Sequence, residues 1–313
     1  MRRRVSVIGA GNMGQGFAVH FGLHDQDVTL VDHRESNLER ATARIRDAAS
    51  GLAAEGLTER SPGDVLEGIT FTTDRDAGVS GADVVLETVP EDLELKREVF
   101  AAVAAAAPDD AILASNTSGI PITDLAKAVP SAAGRVVGCH WWFPPYLLEP
   151  VEVVRGAGTT DRTMERIRAF VEDVDRRPIV VERDVPGFVW NRVQNAVIRE
   201  CLHLVEAGVA SIEDVNAAVR DGYARRTSVI GPFETMDIAG VDQFETVAAH
   251  LYPHLCDDDE PNDAFAEHLE AGHLGVETGR GFFEYDEPAE AVMRRRDERL
   301  AALDRRFDAM QSE

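Results

Sequence analysis

Residues 4–32 read RVSVIGAGNMGQGFAVHFGLHDQDVTLVD, and their pattern decides the fold. A short run with strand character at 4–8 leads straight into Gly9-Ala10-Gly11-Asn12-Met13-Gly14. A run with helical spacing, QGFAVHFG, comes next, and a second strand-like run at 28–31 ends on Asp32. Strand, glycine-rich turn, helix, strand and an acid about 20 residues on make a βαβ unit suited to a dinucleotide. Gly9 permits the tight turn, Gly11 lets the backbone approach a pyrophosphate, and Gly14 lets helix and strand pack closely. The pyrophosphate belongs at the helix N-terminus, where unpaired amides and the helix dipole favour an anion. Asp32 is set to accept the hydroxyls of an adenine ribose. Gly9, Gly11, Asn12, Met13, Gly14 and Asp32 are therefore the candidate cofactor contacts. The cofactor expected is NAD, because a 2′-phosphate would face the Asp32 carboxylate, although Arg34 tempers that preference.

Outward from this unit the pattern repeats. Residues 35–55 form an amphipathic helix with Leu38, Ala41, Ile45, Ala48 and Leu52 on one face. Strands recur at 69–71, 82–86 and 111–114, with helices near 92–106 and 121–128 between them. Alternating strand and helix predict an α/β fold, a Rossmann-type, doubly wound and mostly parallel sheet. Ligands of such sheets bind at the C-terminal strand ends, here Glu87–Glu91 and Ser115-Asn116-Thr117-Ser118. A helix at 162–174 and a strand at 178–182 complete the sheet. Asp184-Val185-Pro186-Gly187-Phe188 then reads as a breaker and hinge. Beyond it the periodicity is helical: 188–207, 211–221, 231–239, 241–251, 262–270 and a charged tail near 288–309. The expected domains are 1–185, binding NAD, and 186–313, an all-α C-terminal domain for substrate and dimerisation.

Composition narrows the function classes. The chain has 313 residues, and 32 basic against 56 acidic residues leave a net charge of −24. Such a surface repels nucleic acid and anionic membranes, so neither is an expected partner. Only Lys96 and Lys127 are lysines. Heavy acid load with so little lysine resembles the proteins of salt-accumulating halophiles. No apolar run reaches membrane-span length, and the opening strand leaves no room for a signal peptide, so a cytoplasmic protein is expected. Cys139, Cys201 and Cys256 are odd in number and widely spaced, with neither a disulfide framework nor a zinc pattern, and no metal is expected.

One further stretch carries chemistry. In GCHWWFPPYLLEPVEVV, residues 138–154, His140 ends an apolar run, a Pro-Pro turn follows, and Glu152 lies on the returning run. A strand, stiff turn and returning strand put imidazole and carboxylate on one sheet face, as a general base needs. Taken alone, the pair reads more simply as a buried strand with a satisfied histidine and a solvent-facing glutamate, and only the rest of the chain shifts that reading.

The chain also resembles the short-chain L-3-hydroxyacyl-CoA dehydrogenases, from Val5 to about Tyr285. The segments that carry the resemblance are GAGNMG, ETVPEDLELKREVF, ASNTS, GCHWWFPP with VEVV, DVPGFVWNR and TGRGFFEY, in that order. The resemblance implies an NAD-dependent oxidation of an L-3-hydroxyacyl-CoA of short acyl chain. It makes His140 the base, Glu152 its orienting partner, and Ser115 and Asn191 the polar groups around the reacting oxygen. Glu91, Lys96 and Ser115 match positions near NAD. Asn191 would lie on the first helix of the second domain, and the site would assemble between domains. A homodimer built on Phe233, Met236 and Ile238 is expected, partly by the same analogy. This chain departs from the family at Phe143, usually asparagine, and at Glu277, usually lysine. PPYLLEPVEVV, DGYARRTSVIGPFETMDIAG and RRRDERLAALDRRF lean toward the L-carnitine and L-gulonate 3-dehydrogenases and the lambda-crystallins. The alternative is therefore a dehydrogenase of a free 3-hydroxy acid. A CoA enzyme should present a basic groove, for which Arg40, Arg44 and Arg46 are the candidates. A non-catalytic NAD-binding protein is the reading of another class, opposed by the retained polar residues.

Overall fold

The computed structural model describes residues 2–311. The strands are β1 (Arg4–Ile8), β2 (Asp27–Val31), β3 (Ile69–Thr72), β4 (Val84–Glu87), β5 (Ile112–Ser115), β6 (Val136–Trp141), β7 (Pro150–Val154) and β8 (Arg177–Val181). Among them run α1 (Asn12–Leu23), α2 (Glu35–Ala54), α3 (Pro62–Glu67), α4 (Arg75–Val79), α5 (Leu93–Ala106), α6 (Ile122–Ala126) and α7 (Asp161–Asp173). The eight strands form one sheet in the order β3-β2-β1-β4-β5-β6-β7-β8. Every pairing is parallel except β6 with β7.

Both faces of the sheet are covered, so side chains of period two feed two cores. On β4, Val84 and Leu86 join one apolar cluster while Val85 joins the other. The chain crosses from β3 past β1 to β4, so β1 and β4 flank the topological switch point. Their C-terminal ends are the turn starting at Gly9 and the Glu87–Glu91 loop.

After β8 the chain is helical: α8 (Trp190–Glu206), α9 (Ile212–Ala217), a π-helical turn at Ala218–Tyr223, α10 (Ala224–Thr227), α11 (Pro232–Ala239), α12 (Val241–Leu251), α13 (Asp263–Glu270) and α14 (Ala289–Gln311). Two compact units result, the second being Arg192–Met293. The first runs through Asn191 and takes in the tail from Arg294. The tail helix expected in the C-terminal domain therefore packs back on the sheet unit. Ala301 is buried in its core, Tyr146 Oη donates to Asp297 at 3.0 Å, and Arg305 Nη2 bonds Glu55 at 3.1 Å. Its apolar residues are too sparse among arginines and acids to name a partner from spacing alone. The short helices α3 and α4, absent from the sequence reading, are too brief to leave a periodic signature; Ser61 and Asp74 cap them.

Candidate active site

At the glycine turn, Gly9 has φ +108°, and a Cβ there would lie 2.9 Å from the Thr88 carbonyl. A Cβ on Gly14 would fall 1.8 Å from the Gly9 carbonyl oxygen, so this glycine is what lets α1 seat on the turn. Gly11 has open space around it, and it begins α1 without any side-chain cap. Asp32, buried at the end of β2, accepts from Ala10 N at 2.9 Å, Arg34 N at 3.0 Å and Asn37 Nδ2 at 2.8 Å. An uncapped helix start, a glycine with open space and a carboxylate fixed beside them suit the pyrophosphate and ribose of NAD. Arg44 Nη1 donates to Asn12 Oδ1 at 3.0 Å, and Arg40 bonds Asn37 Oδ1. Two of the three arginines considered for a CoA groove are thus engaged at the nucleotide turn.

Beside β1, the end of β4 holds a buried ionic cluster. Glu87 Oε1 accepts from Lys96 Nζ at 2.8 Å and from Val89 N at 2.7 Å; its Oε2 accepts from Ser115 Oγ at 2.6 Å. Lys96 also lies 3.3 Å from Glu91 Oε2. Glu91 Oε1 accepts from Thr117 Oγ1 at 2.5 Å, Ser118 N at 3.0 Å and Gly119 N at 3.1 Å. Burial pushes the Glu91 carboxyl up, but the Thr117 hydroxyl, the Lys96 charge and the Gly119 amide outweigh it and hold it low. Lys96 and Glu91 thus brace the loop after β5. Ser115 is fully buried with its hydroxyl bonded to Glu87.

On the other side, the antiparallel register sets His140 directly opposite Glu152. His140 Nδ1 lies 2.7 Å from Glu152 Oε2, and both side chains are buried. A carboxylate at Nδ1 accepts a hydrogen bond from the Nδ1–H and leaves Nε2 with the lone pair. The other oxygen, Glu152 Oε1, accepts from Val189 N at 2.8 Å and Trp190 N at 3.0 Å, at the start of α8. The turn before α8 delivers those amides through two left-handed residues, Gly187 at φ +77° and Phe188 at φ +49°. Phe188 is buried, its ring 5.9 Å from that of His140. Burial alone would raise the Glu152 carboxyl; the bonds from His140 and the two amides prevail and keep it below the usual glutamate range. Trp142 stacks on Trp190 with centroids 3.9 Å apart, clamping the strand end to the helix start.

Asn191 Nδ2 donates to the Ser118 carbonyl at 2.8 Å, joining the helix start to the Glu91-braced loop. The residues expected around the reaction are therefore brought together within the first unit, with one change of emphasis. Ser115, in the strand, faces Glu87, whereas the exposed Ser118 adjoins Asn191. Ser115 closes β5, and Ser118 lies on the loop beyond it. Glu87, placed by the sequence only at a strand end, ties Lys96 to Ser115 through buried bonds that no spacing announced. Phe143 lies under the guanidinium of Arg296 from α14, 4.8 Å from its ring centroid. Glu277 lies on an exposed 3-10 turn, Val276–Thr278, of the second unit.

Comparison with known proteins agrees with this architecture. The profile of the 3-hydroxyacyl-CoA dehydrogenase NAD binding domain matches residues 4–185, and that of the C-terminal domain matches 187–285. The chain belongs to the 3-hydroxyacyl-CoA dehydrogenase family. It is an NAD-dependent oxidoreductase of that family. A 3-hydroxybutyryl-CoA dehydrogenase of Bradyrhizobium diazoefficiens is 34% identical over 90% of this chain and 95% of its own length. The L-carnitine dehydrogenase of Streptomyces griseus is 37% identical over 81% and 73%. The 5-formyl-3-hydroxy-2-methylpyridine 4-carboxylate 5-dehydrogenase of Mesorhizobium japonicum is 36% identical over 97% and 98%. A crystal structure of a dehydrogenase for that pyridine acid, described as an NAD+-dependent dismutase, superposes with TM-score 0.91 at 36% identity, over 98% of this chain and 99% of its own.

Proposed function

We propose that the protein removes the hydroxyl proton of its substrate with His140 while hydride passes to NAD. The observation that carries this is the buried His140–Glu152 pair tied to the start of α8. Glu152 holds the ring orientation and stabilises the imidazolium formed when Nε2 takes the proton. Ser118 and Asn191, at the loop and the helix start, are the polar groups beside the reacting oxygen. Gly9, Gly11, Asn12, Met13, Gly14 and Asp32 hold NAD, which when bound supplies the hydride acceptor. Glu91 and Lys96 serve it indirectly, by bracing the loop.

For the substrate, we propose a small free carboxylic acid carrying the reacting group, in preference to a CoA thioester. Arg296 of α14, which also donates to Asp297 Oδ1 from Nε at 2.8 Å and Nη2 at 2.6 Å, puts its guanidinium over Phe143, three residues past the base, and its remaining N–H groups would meet a carboxylate handle there. The family's C-terminal profile ends at residue 285, short of α14, while the pyridine-carboxylate relative matches nearly the whole chain. A short-chain 3-hydroxyacyl-CoA is the second reading, favoured by the similarity to 3-hydroxybutyryl-CoA dehydrogenase. NADH formation measured side by side with 3-hydroxybutyryl-CoA, L-carnitine, L-gulonate and a hydroxymethylpyridine carboxylate separates the two. Higher kcat/KM on the free acids, lost in Arg296→Ala, supports the first; a preference for the thioester overturns it.

We further propose a cytoplasmic homodimer. Phe233 and Ile238 on α11, 77% and 74% exposed, supply apolar surface for a second copy.

A further inference from the structure

The second unit holds a group of side chains that the dehydrogenase chemistry does not use. On α8, Glu200 and His203 are three residues apart and share a face. The loop between α12 and α13 brings Cys256 and Asp258 against that face. One donor atom each from His203, Cys256 and Asp258 lies within 4.8 Å of the others. Cys256 is buried, His203 half-buried and Asp258 exposed. The Cys256 thiol already donates to Asp258 Oδ2 at 3.2 Å. That separation is near the roughly 3.3–3.8 Å between neighbouring ligand atoms of a tetrahedral zinc ion.

We infer that His203, Cys256 and Asp258 form a binding site for a thiophilic divalent cation of the zinc class, which clasps the 256–262 loop to α8. Three observations converge on it. The imidazole of His203 makes no hydrogen bond among the described residues, so its nitrogens are available to a metal. The loop is held in place independently of the ion: Cys256 N donates to Glu200 Oε2 at 2.8 Å, and Arg199 Nη1 donates to the Asp258 carbonyl at 2.8 Å. At the loop's far end, Asn262 Nδ2 and Ala264 N donate to Glu206 at 2.9 and 3.1 Å. Finally, Asp257, Asp259 and Glu260 neighbour the donors in sequence and Glu200 binds the Cys256 amide, a negative charge that draws a dication despite Arg199.

The donor set decides the class. A thiolate and an imidazole select zinc, cobalt or a similar borderline ion over magnesium and calcium, which require mostly oxygen ligands. Binding replaces the Cys256 S–H with a sulfur–metal bond and releases that proton to solvent, with no redox step. Three protein donors leave the fourth tetrahedral place to water. The sequence hid the site because its ligands are a lone histidine and a C-x-D about fifty residues further on, rather than paired Cys-x-x-Cys units.

The test uses full-length, metal-stripped protein titrated with Co(II), whose thiolate complexes absorb strongly in the near ultraviolet. The expected result is one Co(II) per chain with a thiolate charge-transfer band, displaced by Zn(II). Cys256→Ser should abolish the band, and His203→Gln should weaken binding about tenfold or more, while Cys201→Ser should leave both intact. Circular dichroism of each stripped variant checks folding, and His203→Gln serves where Cys256→Ser fails to fold. No band in the wild-type protein, or a band that survives Cys256→Ser or disappears in Cys201→Ser, overturns the inference.

Discussion

His140 illustrates how a single side chain acquires a role from its neighbours. Its Nδ1 is taken by Glu152 at 2.7 Å, so Nε2 alone is left to act as base. His140→Gln should lower kcat by about 10²–10⁴-fold while NAD binds as before. Turnover close to wild type, with intact NAD binding, would remove the histidine from the mechanism. Glu152 has two duties, and pH separates them from a simple structural role. Its folded-state pKa is depressed, so its stabilisation is present above the unfolded value of about 4.3 and disappears as pH falls through the folded one. Thermal denaturation between about pH 3 and 6 should show the wild type losing stability on acidification more steeply than Glu152→Gln. Parallel curves would mean that the carboxylate is not held ionised by its partners. At the nucleotide turn, Asp32→Ala should weaken NAD binding and narrow its advantage over NADP. An unchanged nucleotide preference would count against the ribose contact.

At the scale of elements, the glycine turn and α1 act as one piece. With a Cβ only 1.8 Å from the Gly9 carbonyl, Gly14→Ala must push helix and turn apart. Overpacking of this kind costs about 1–3 kcal/mol, and it also displaces the amides that face the pyrophosphate. Gly14→Ala should therefore lose both stability and NAD affinity, whereas Gly11→Ala, with open space around it, should keep its stability and lose affinity alone. Equal melting temperatures for the two variants would refute this division of labour. The same elements show what the sequence made legible. Strands of period two, glycines at a fixed spacing and the return from His140 to Glu152 are local patterns, and the strands they mark were found within a few residues. Contacts made by α14 and by Glu87 were not legible, because they join residues far apart in sequence through packing that no periodicity encodes. The ASNTS run does not itself mark where the strand stops; the register with β4 and β6 sets Ser115 at its end and leaves Ser118 on the loop.

For the whole molecule, the net charge of −24 bears on folding and on the proposed self-association. Like charges on one chain repel at low ionic strength, and the screening length shrinks from about 10 Å at 0.1 M salt to about 3 Å at 1 M. Two copies, each carrying the same charge, repel one another in the same way. The apolar residues of α11 and α12, among them Phe233 and Ile238, can bring copies together only once that repulsion is screened. Raising KCl from about 0.1 M to 1 M should therefore raise the melting temperature and shift the population from monomer to dimer together. Sedimentation equilibrium at several protein concentrations reads the second effect, and Phe233→Asp should abolish it while leaving the salt dependence of the monomer's melting temperature. If association is instead independent of salt, or persists in Phe233→Asp, the dimer face lies elsewhere. If the melting temperature does not rise with KCl, the acidic surface is not held back by its own charge, and its composition has another origin.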